Sequence, residues 1–355
     1  HDLGVDLAFF GNRLMFTADA YIRDTKDMLT AGVALPAVYG ASSPKMNAAD
    51  LRTKGYEFQL SWRDGFNLFG KPFNYSVTTS FSDYITEITK FDNPERTFAK
   101  SYYVGMRMGE IWGYHTGGLF RSDAEAADYK IDQTFVNQAI ISAAGDERGL
   151  HGGDVKFLDL NGDGVVNQGK NTVDDPGDRT IIGNNQPRYN YGINLSVQYF
   201  GFDFGIFFQG VGKMDWAPAA NNVLFYGPYA RPYATLIPKD FHKKIWSEDN
   251  PDAYLPRPRG YVGLGSNREL TVPSDRYLQD ISYCRLKNLT SDIHCRNLLP
   301  IRSAWDLSGF LSLERTLLIG LRSRSIRNTS TRKWQRPILP TVFILGRSHL
   351  CSVLI

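Results

Sequence analysis

Residues 154–170, DVKFLDLNGDGVVNQGK, hold the best set of hard-cation donors in the chain. Asp159, Asn161 and Asp163 stand at positions 1, 3 and 5 of an EF-hand-like loop, and Asn167 stands at position 9. Gly164 follows at position 6, where the loop turns sharply. Alternate oxygen-bearing side chains can converge on Ca²⁺ at this spacing. Position 12 is Lys170, where an EF-hand places its bidentate Glu, and that departure weakens the fit. Asp174, Asp175 and Asp178 can supply the missing oxygens only if the chain folds back on itself. The competing reading is a turn rich in Asx and Gly that satisfies itself without an ion. The expectation is a calcium ion that staples a loop and takes no part in catalysis.

Four aromatic side chains in the long connections, Trp112, Tyr114, Trp216 and Tyr226, have the flat apolar faces that stack on sugar rings. Packing, or a place at a membrane interface, explains each of them more simply. Little supports catalysis. His151 lies among carboxylates in GDERGLHGGD, but mixed polar loops make such neighbours by chance, and neither a nucleophile elbow nor zinc spacing nor a phosphate-binding Gly loop occurs. The chain is therefore not expected to be an enzyme.

The elements that must position these residues are strands. Segments of about ten residues alternate apolar and polar side chains, as membrane-barrel strands do. Tyr56, Phe58, Leu60 and Trp62 alternate with Glu57, Gln59, Ser61 and Arg63, and Tyr191, Ile193, Leu195 and Val197 alternate with Gly192, Asn194 and Ser196. Leu14, Phe16, Ala18, Ala20 and Ile22 follow the same rule, as do Tyr75, Val77 and Phe81. About seven such strands can be counted. Connections alternate between short (FGNR, DGFNLFGKP, FGF) and long (24–50, about 84–186, about 213–275). Loops beyond about 12–15 residues are uncommon in compact soluble domains. The expected fold is thus all-β, an antiparallel transmembrane β-barrel fragment with long extracellular loops. The alternative is a secreted β-sandwich, a carbohydrate-binding module or hydrolase with a calcium-stapled loop. The chain opens inside a strand pattern, so a piece of a longer polypeptide is expected.

The motifs LPAVYGASSPKMNAADLRTKGYE (35–57), YYVGMRMGEIWGYHTGGLF (102–120), DVKFLDLNGDGVVN (154–167), DDPGDRTIIGNNQPRYNYGINL (174–195), GFDFGIFFQGVGK (201–213), NPDAYLPRPR (250–259) and RYLQDISYCRLKNLT (276–290) occur in one order. In them the chain resembles the SusC/RagA type of TonB-dependent outer-membrane receptors. The resemblance implies the later part of a barrel of about 22 strands around a plugged lumen. It also implies import of oligosaccharides, glycan fragments or occasionally peptides across the cell outer membrane. The implied partners are a SusD-like surface lipoprotein, the TonB complex acting through an upstream region, and outer-membrane lipid. Polar strand residues such as Asn190, Asn194 and Gln198 would line the path or simply wet the interior. Nucleic acid is not an expected partner, because the formal charge of +3 arises in one odd tail.

That tail begins in mid-strand. Residues 291–355 carry ten basic side chains against three acidic ones, no tyrosine at all, and two of the three cysteines, Cys295 and Cys351. In the family, RLKNLT continues in a pattern like IGYTLP, whereas here SDIHCR follows. Thr290 to Cys295 can be encoded ACA TCG GAT ATA CAT TGC before a CGN arginine. Read one base earlier, the same bases give Ile-Gly-Tyr-Thr-Leu-Pro. SLERTL (312–317) and VFIL (342–345) back-read in that frame to Ser-Gly-Glu-Asn-Leu and Val-Tyr-Pro, again family-like. The expected division is therefore residues 1–290 as barrel strands and surface loops, and 291–355 as a frameshifted tail foreign to the fold.

Overall fold

The computed structural model describes residues 1–31, 38, 40, 44–141, 149–219, 222–229, 237, 239–258 and 269–293. In chain order the elements are β1 (Asp2–Phe9), β2 (Leu14–Ala31), β3 (Lys45–Leu68), β4 (Lys71–Lys90), β5 (Glu110–Tyr114) and β6 (Thr116–Leu119). There follow α1 (Asp123–Asp128), α2 (Thr134–Ile141), β7 (Val155–Phe157), β8 (Arg179–Asn184), β9 (Arg188–Tyr199) and β10 (Phe202–Lys213). The last are β11 (Asp215–Trp216), α3 (Val223–Tyr226), β12 (Gln279–Asp280) and β13 (Tyr283–Ile293).

Seven strands form one antiparallel sheet in the order β1-β2-β3-β4-β9-β10-β13. Register follows from the period-two pattern, since a slip by one residue would move every apolar side chain to the other face. Leu60 faces Phe16 on one side and Thr79 on the other, and Val77 faces both Trp62 and Leu195. The apolar face stays uncovered. Leu3 is 72% exposed, and Val5, Leu7, Phe58, Leu60 and Phe204 lie open beside it. A β-sandwich would cover that face with a second sheet. The other sheets among the described residues have two strands each, so the sandwich alternative is corrected.

Two connections differ from the expected ones. Residues 24–50 are not a free loop: β2 runs to Ala31 and β3 starts at Lys45, with Asp24 opposite Arg52 and a register shift between Thr25 and Met28. DGFNLFGKP is mostly strand, and its turn is only Phe69-Gly70. The alternation weakens in these extensions because neither face is then buried in a uniform medium. At about 3.4 Å per residue β3 is roughly 80 Å long, far more than the apolar band of about 25 Å that a membrane barrel needs. β3 is about twice the length of β9 and β10, which have 12 residues each. No helix among the described residues is long and apolar enough to cross a membrane, which says nothing of strands.

The strand β13 continues past the expected break. Ser291, Asp292 and Ile293 pair with Phe204, Asp203 and Phe202. Ser291 falls opposite Phe204, on the face that is apolar elsewhere in the sheet. The rest of the tail, 294–355, lies outside the described residues, with Cys295 and Cys351 in it.

The long connections meet at one end of the sheet and bury a core of their own. Tyr114, Leu119, Val136, Val155, Phe157, Val166, Tyr226, Tyr229, Phe241, Leu255, Leu270 and Tyr277 form this cluster. It draws on three stretches of chain: 91–187 between β4 and β9, then 214–258 and 269–282 between β10 and β13. We call it the cap.

Candidate functional site

Two surfaces can meet a ligand: the polar face of the sheet and the cap above it. On the sheet, Thr17, Asp19, Glu57, Gln59, Ser80 and Ser82 line a shallow hollow of about 180 Å³. Short hydrogen bonds tie this face together, Ser61 to Thr78 at 2.9 Å and Thr17 Oγ1 to Asp6 Oδ1 at 2.6 Å. Asn190, Asn194 and Gln198 sit on β9 at the register expected of them, opposite Ser82, Thr78 and Asn74. This face mixes hydroxyls and amides with the carboxylates of Asp6, Asp19 and Glu57, so it is polar and hydrogen-bonding throughout.

In the cap the cation-loop residues come together. Asp159 accepts the Gly162 amide on Oδ1 at 2.7 Å and the Gly164 amide on Oδ2 at 2.8 Å. Asn161 Oδ1 accepts the Asp163 amide, Asp163 Oδ1 accepts the Val165 amide, and Asn167 Oδ1 accepts the Gly169 amide. Gly164 has φ +85°, the left-handed turn that spacing asks for. The chain does fold back, through Asp178 alone of the three later carboxylates. Its fully buried carboxylate accepts the Leu160 and Asn161 amides on one oxygen and the Asn167 amide on the other. Asp174 is drawn instead to Arg96 at 2.9 Å, and Asp175 lies against Gly169 with its amide donating to Thr172 Oγ1. The Gly164 amide first, with the Gly162 amide behind it, holds the Asp159 carboxyl below its ordinary range. Asn161 and Asn167 also donate their side-chain amides to Asp163 Oδ2, at 3.0 and 3.5 Å, so the loop's oxygens are bonded as a self-satisfied Asx turn bonds them. Among the described residues no group of three His, Cys, Asp or Glu side chains converges as a metal site.

The aromatic candidates divide. Tyr114 and Tyr226 are 3% and 1% exposed, core residues whose ring faces are taken by protein neighbours. Tyr114 meets Phe157 edge-on, and burial pushes its hydroxyl up to about 12. Tyr226 meets Phe225 and Tyr277 edge-on. Trp112 packs 4.8 Å from Phe98 and donates its indole N–H to Tyr103, while Trp216 meets Phe225 edge-on. These two are half-buried.

Two polar arrangements could not be read from spacing. The Gln133 side chain lies in the cap core and acts as a missing strand partner for β7, donating to Val155 O and accepting the Phe157 amide. His115 links three segments: Nε2 lies 2.7 Å from Thr180 Oγ1 and Nδ1 3.1 Å from Asp275, whose other oxygen accepts from Thr116. Thr180 is 65 residues from His115 and Asp275 is 160, so no local pattern announces them. His151 does acquire a carboxylate neighbour, Asp123 at 3.4 Å.

A sheet with one uncovered apolar face, one wet face and a folded cap at one end is the architecture of a barrel wall with its loops. The family model for the TonB-dependent receptor-like β-barrel matches residues 1–237, and the chain belongs to that family. Among curated relatives, TonB-dependent receptor P3 of Formosa agariphila is 29% identical over 307 residues, covering 81% of this chain and 26% of its own length. TonB-dependent receptor P26 of the same organism is 24% identical over 81% of this chain and 26% of the relative. The chain thus spans about a quarter of the curated relatives it matches. Among solved structures, the RagAB peptide importer in its closed-closed state aligns over 85% of this chain and 29% of that one, with TM-score 0.55 and 18% identity. The RagAB peptide transporter aligns with TM-score 0.52 at 18% identity over 82% of this chain and 28% of that one. These likenesses are of fold, and they agree with the SusC/RagA resemblance carried by the motifs.

Proposed function

We propose that this chain is the later part of an outer-membrane TonB-dependent importer of nutrients, with oligosaccharides or glycan fragments as substrate and a SusD-like lipoprotein as surface partner. The observation that carries the reading is the two-sided sheet, apolar and open on one face, hydroxyl- and amide-lined on the other. Lipid satisfies the first face and a water-filled lumen the second. Among the described residues the outer edges of β1 and β13 are unpaired, which lipid cannot satisfy, so closure would come from further strands. Energy would come from the TonB complex through a region outside this chain. The peptide transport named for the RagAB structures makes peptides the competing substrate class. Deleting the gene for the full-length receptor separates these: loss of growth on oligosaccharides alone supports glycans, and loss on oligopeptides alone supports peptides. Unchanged uptake of both would sink the importer reading. Co-purification of the surface lipoprotein tests the partner.

The reading includes no enzyme. Among the described residues, Thr180, His115 and Asp275 set a hydroxyl, imidazole and carboxylate in sequence, an arrangement that would favour a hydrolase. Ester cleavage that disappears in Thr180→Val would support it over transport. We also propose Ca²⁺ as the staple of the Asp159–Asn167 loop. Calorimetric titration should show one binding event that is lost in Asp163→Ala, and heat-free titration would leave the loop a self-satisfied turn.

A further inference from the structure

Asn161-Gly162 is the only Asn-Gly pair in the sequence, and both residues are exposed in the Asp159–Asn167 loop. An asparagine followed by glycine readily loses its side-chain ammonia, because no Cβ hinders attack by the glycine nitrogen. The turn asks for both residues. Gly162 has φ +78°, the left-handed region that favours glycine, and a Cβ there would meet open space, so the backbone and not crowding fixes the choice. Asn161 Oδ1 accepts the Asp163 amide at 2.8 Å and closes an Asx turn. Yet every group that would react is engaged. The Gly162 nitrogen, the attacking atom, donates its N–H to Asp159 Oδ1 at 2.7 Å. The Asn161 side chain is tied to Asp163 a second time, through Nδ2 to Oδ2 at 3.0 Å. The preceding main chain is pinned by buried Asp178, which accepts the Leu160 and Asn161 amides.

We propose that Asn161 is a site of covalent modification, an asparagine that Asp159 shields in the folded cap and that deamidates when the cap opens. In the open chain the Gly162 nitrogen bonds to Asn161 Cγ while the Cγ–Nδ2 bond breaks, and ammonia leaves with the Gly162 amide proton. The product is a succinimide ring. Water opens the ring at Cγ to give Asp, or at the Asn161 main-chain carbonyl to give isoaspartate. Either route releases one ammonia and takes up one water, and no enzyme or oxidant is needed. Ring closure requires the Gly162 N–H to leave Asp159 and the Asn161 carbonyl carbon to turn onto that nitrogen. Both motions break bonds that the fold supplies. Reaction therefore runs through local opening and scales with the open fraction. Isoaspartate lengthens the main chain by a methylene between Asp159 and Asp163. A loop so changed cannot return its amides to Asp159 and Asp178 at their present spacing, and opening of the cap leaves a lasting mark.

The test uses the full-length receptor, incubated folded in detergent and unfolded in urea, with EDTA present so that no cation does the holding. Trypsin then releases residues 157–170 between Lys156 and Lys170. Fragment masses locate any replacement of NH by oxygen, and an isoaspartyl methyltransferase counts isoaspartate. Position 161 is expected to react at least about tenfold more slowly in the folded receptor than in urea, in line with a rarely open loop. Folded Asp159→Ala should react nearly as fast as the unfolded chain, with limited proteolysis showing the cap intact. Equal rates for folded and unfolded wild type would overturn the proposal, and so would a faster folded rate, which would make Asp159 a base that promotes attack. An intact Asp159→Ala cap that protects Asn161 as well as wild type does would remove Asp159 from the role. If that variant does not fold, hydrogen exchange of the Gly162 amide in the wild type decides. Slow exchange supports the shield, and exchange as fast as in urea overturns it.

Discussion

The sheet and the cap are built from the same chain and treat apolar side chains in opposite ways. On the sheet, Leu3, Leu7, Phe58 and Leu60 lie in rows with a large part of their surface uncovered. In the cap, Phe157, Val155, Val136 and Val166 are wholly buried, held between short strands and helices. The difference is one of solvent. A soluble element must bury its apolar face against protein, whereas a lipid-facing strand leaves it open and sends polar groups inward. On the proposed membrane reading, a boundary between two media would fall along the strands, between Leu60 and the cap end of β3.

The largest expected effect comes from the cap core. Phe157→Ala should lower cap stability by about 3–5 kcal/mol through the cavity it leaves. Limited proteolysis should then cut within 91–187 while the strands stay protected; equal protection of both regions would blur the division. Next comes the sheet. Leu60→Arg should weaken folding into a bilayer by about 2–4 kcal/mol, read by the heat-modified gel shift of the barrel, with the cap unaffected. A mild effect would mean that Leu60 does not face lipid.

The third test is alkaline. Burial raises the Tyr114 hydroxyl to about 12 and moves Tyr226, Tyr229 and Tyr277 upward too. An unfolded tyrosine ionises near its ordinary value of 10.0, so the unfolded cap loses these protons first. Stability from the buried hydroxyls is therefore complete below pH 10 and declines as pH rises from there through the folded values. Tyrosinate absorbance should appear together with cap unfolding, and ionisation of these tyrosines in a cap that stays folded would contradict their burial. The smallest effect is at the end of β13. Ser291→Ile should add about 0.2–1 kcal/mol by restoring an apolar cross-strand pair with Phe204. A destabilised variant would count against the lost-base origin of the tail.

The sheet was legible in the sequence because its signal is local. Tyr56, Phe58, Leu60 and Trp62 announce their face by spacing alone, and the seven strands form where that pattern runs. Strand ends were less legible, since beyond the apolar band β2 and β3 are held by backbone pairing and by links such as Arg52 to Asp24 at 2.7 Å. The cap was the least legible part. Its core joins Tyr114, Tyr226 and Tyr277, and nothing in their spacing separates a core tyrosine from one at a ligand surface. The Asp159–Asn167 loop stands between these extremes: Asp159, Asn161 and Asp163 declare a turn, but the return of Asp178 is a tertiary fact. The same holds for Thr180 and Asp275 around His115.

The cap core also sets an order of events in time. Leu270 and Tyr277 lie in the stretch that follows β10, and Asp275 receives Thr116 from far upstream. Such distant pairings close late, because the intervening chain must first be ordered. A nascent chain that stopped after β10 could pair six strands of the sheet yet could not complete its cap. The finished cap thus requires the chain only as far as Tyr277, and β13 then joins the sheet beside β10.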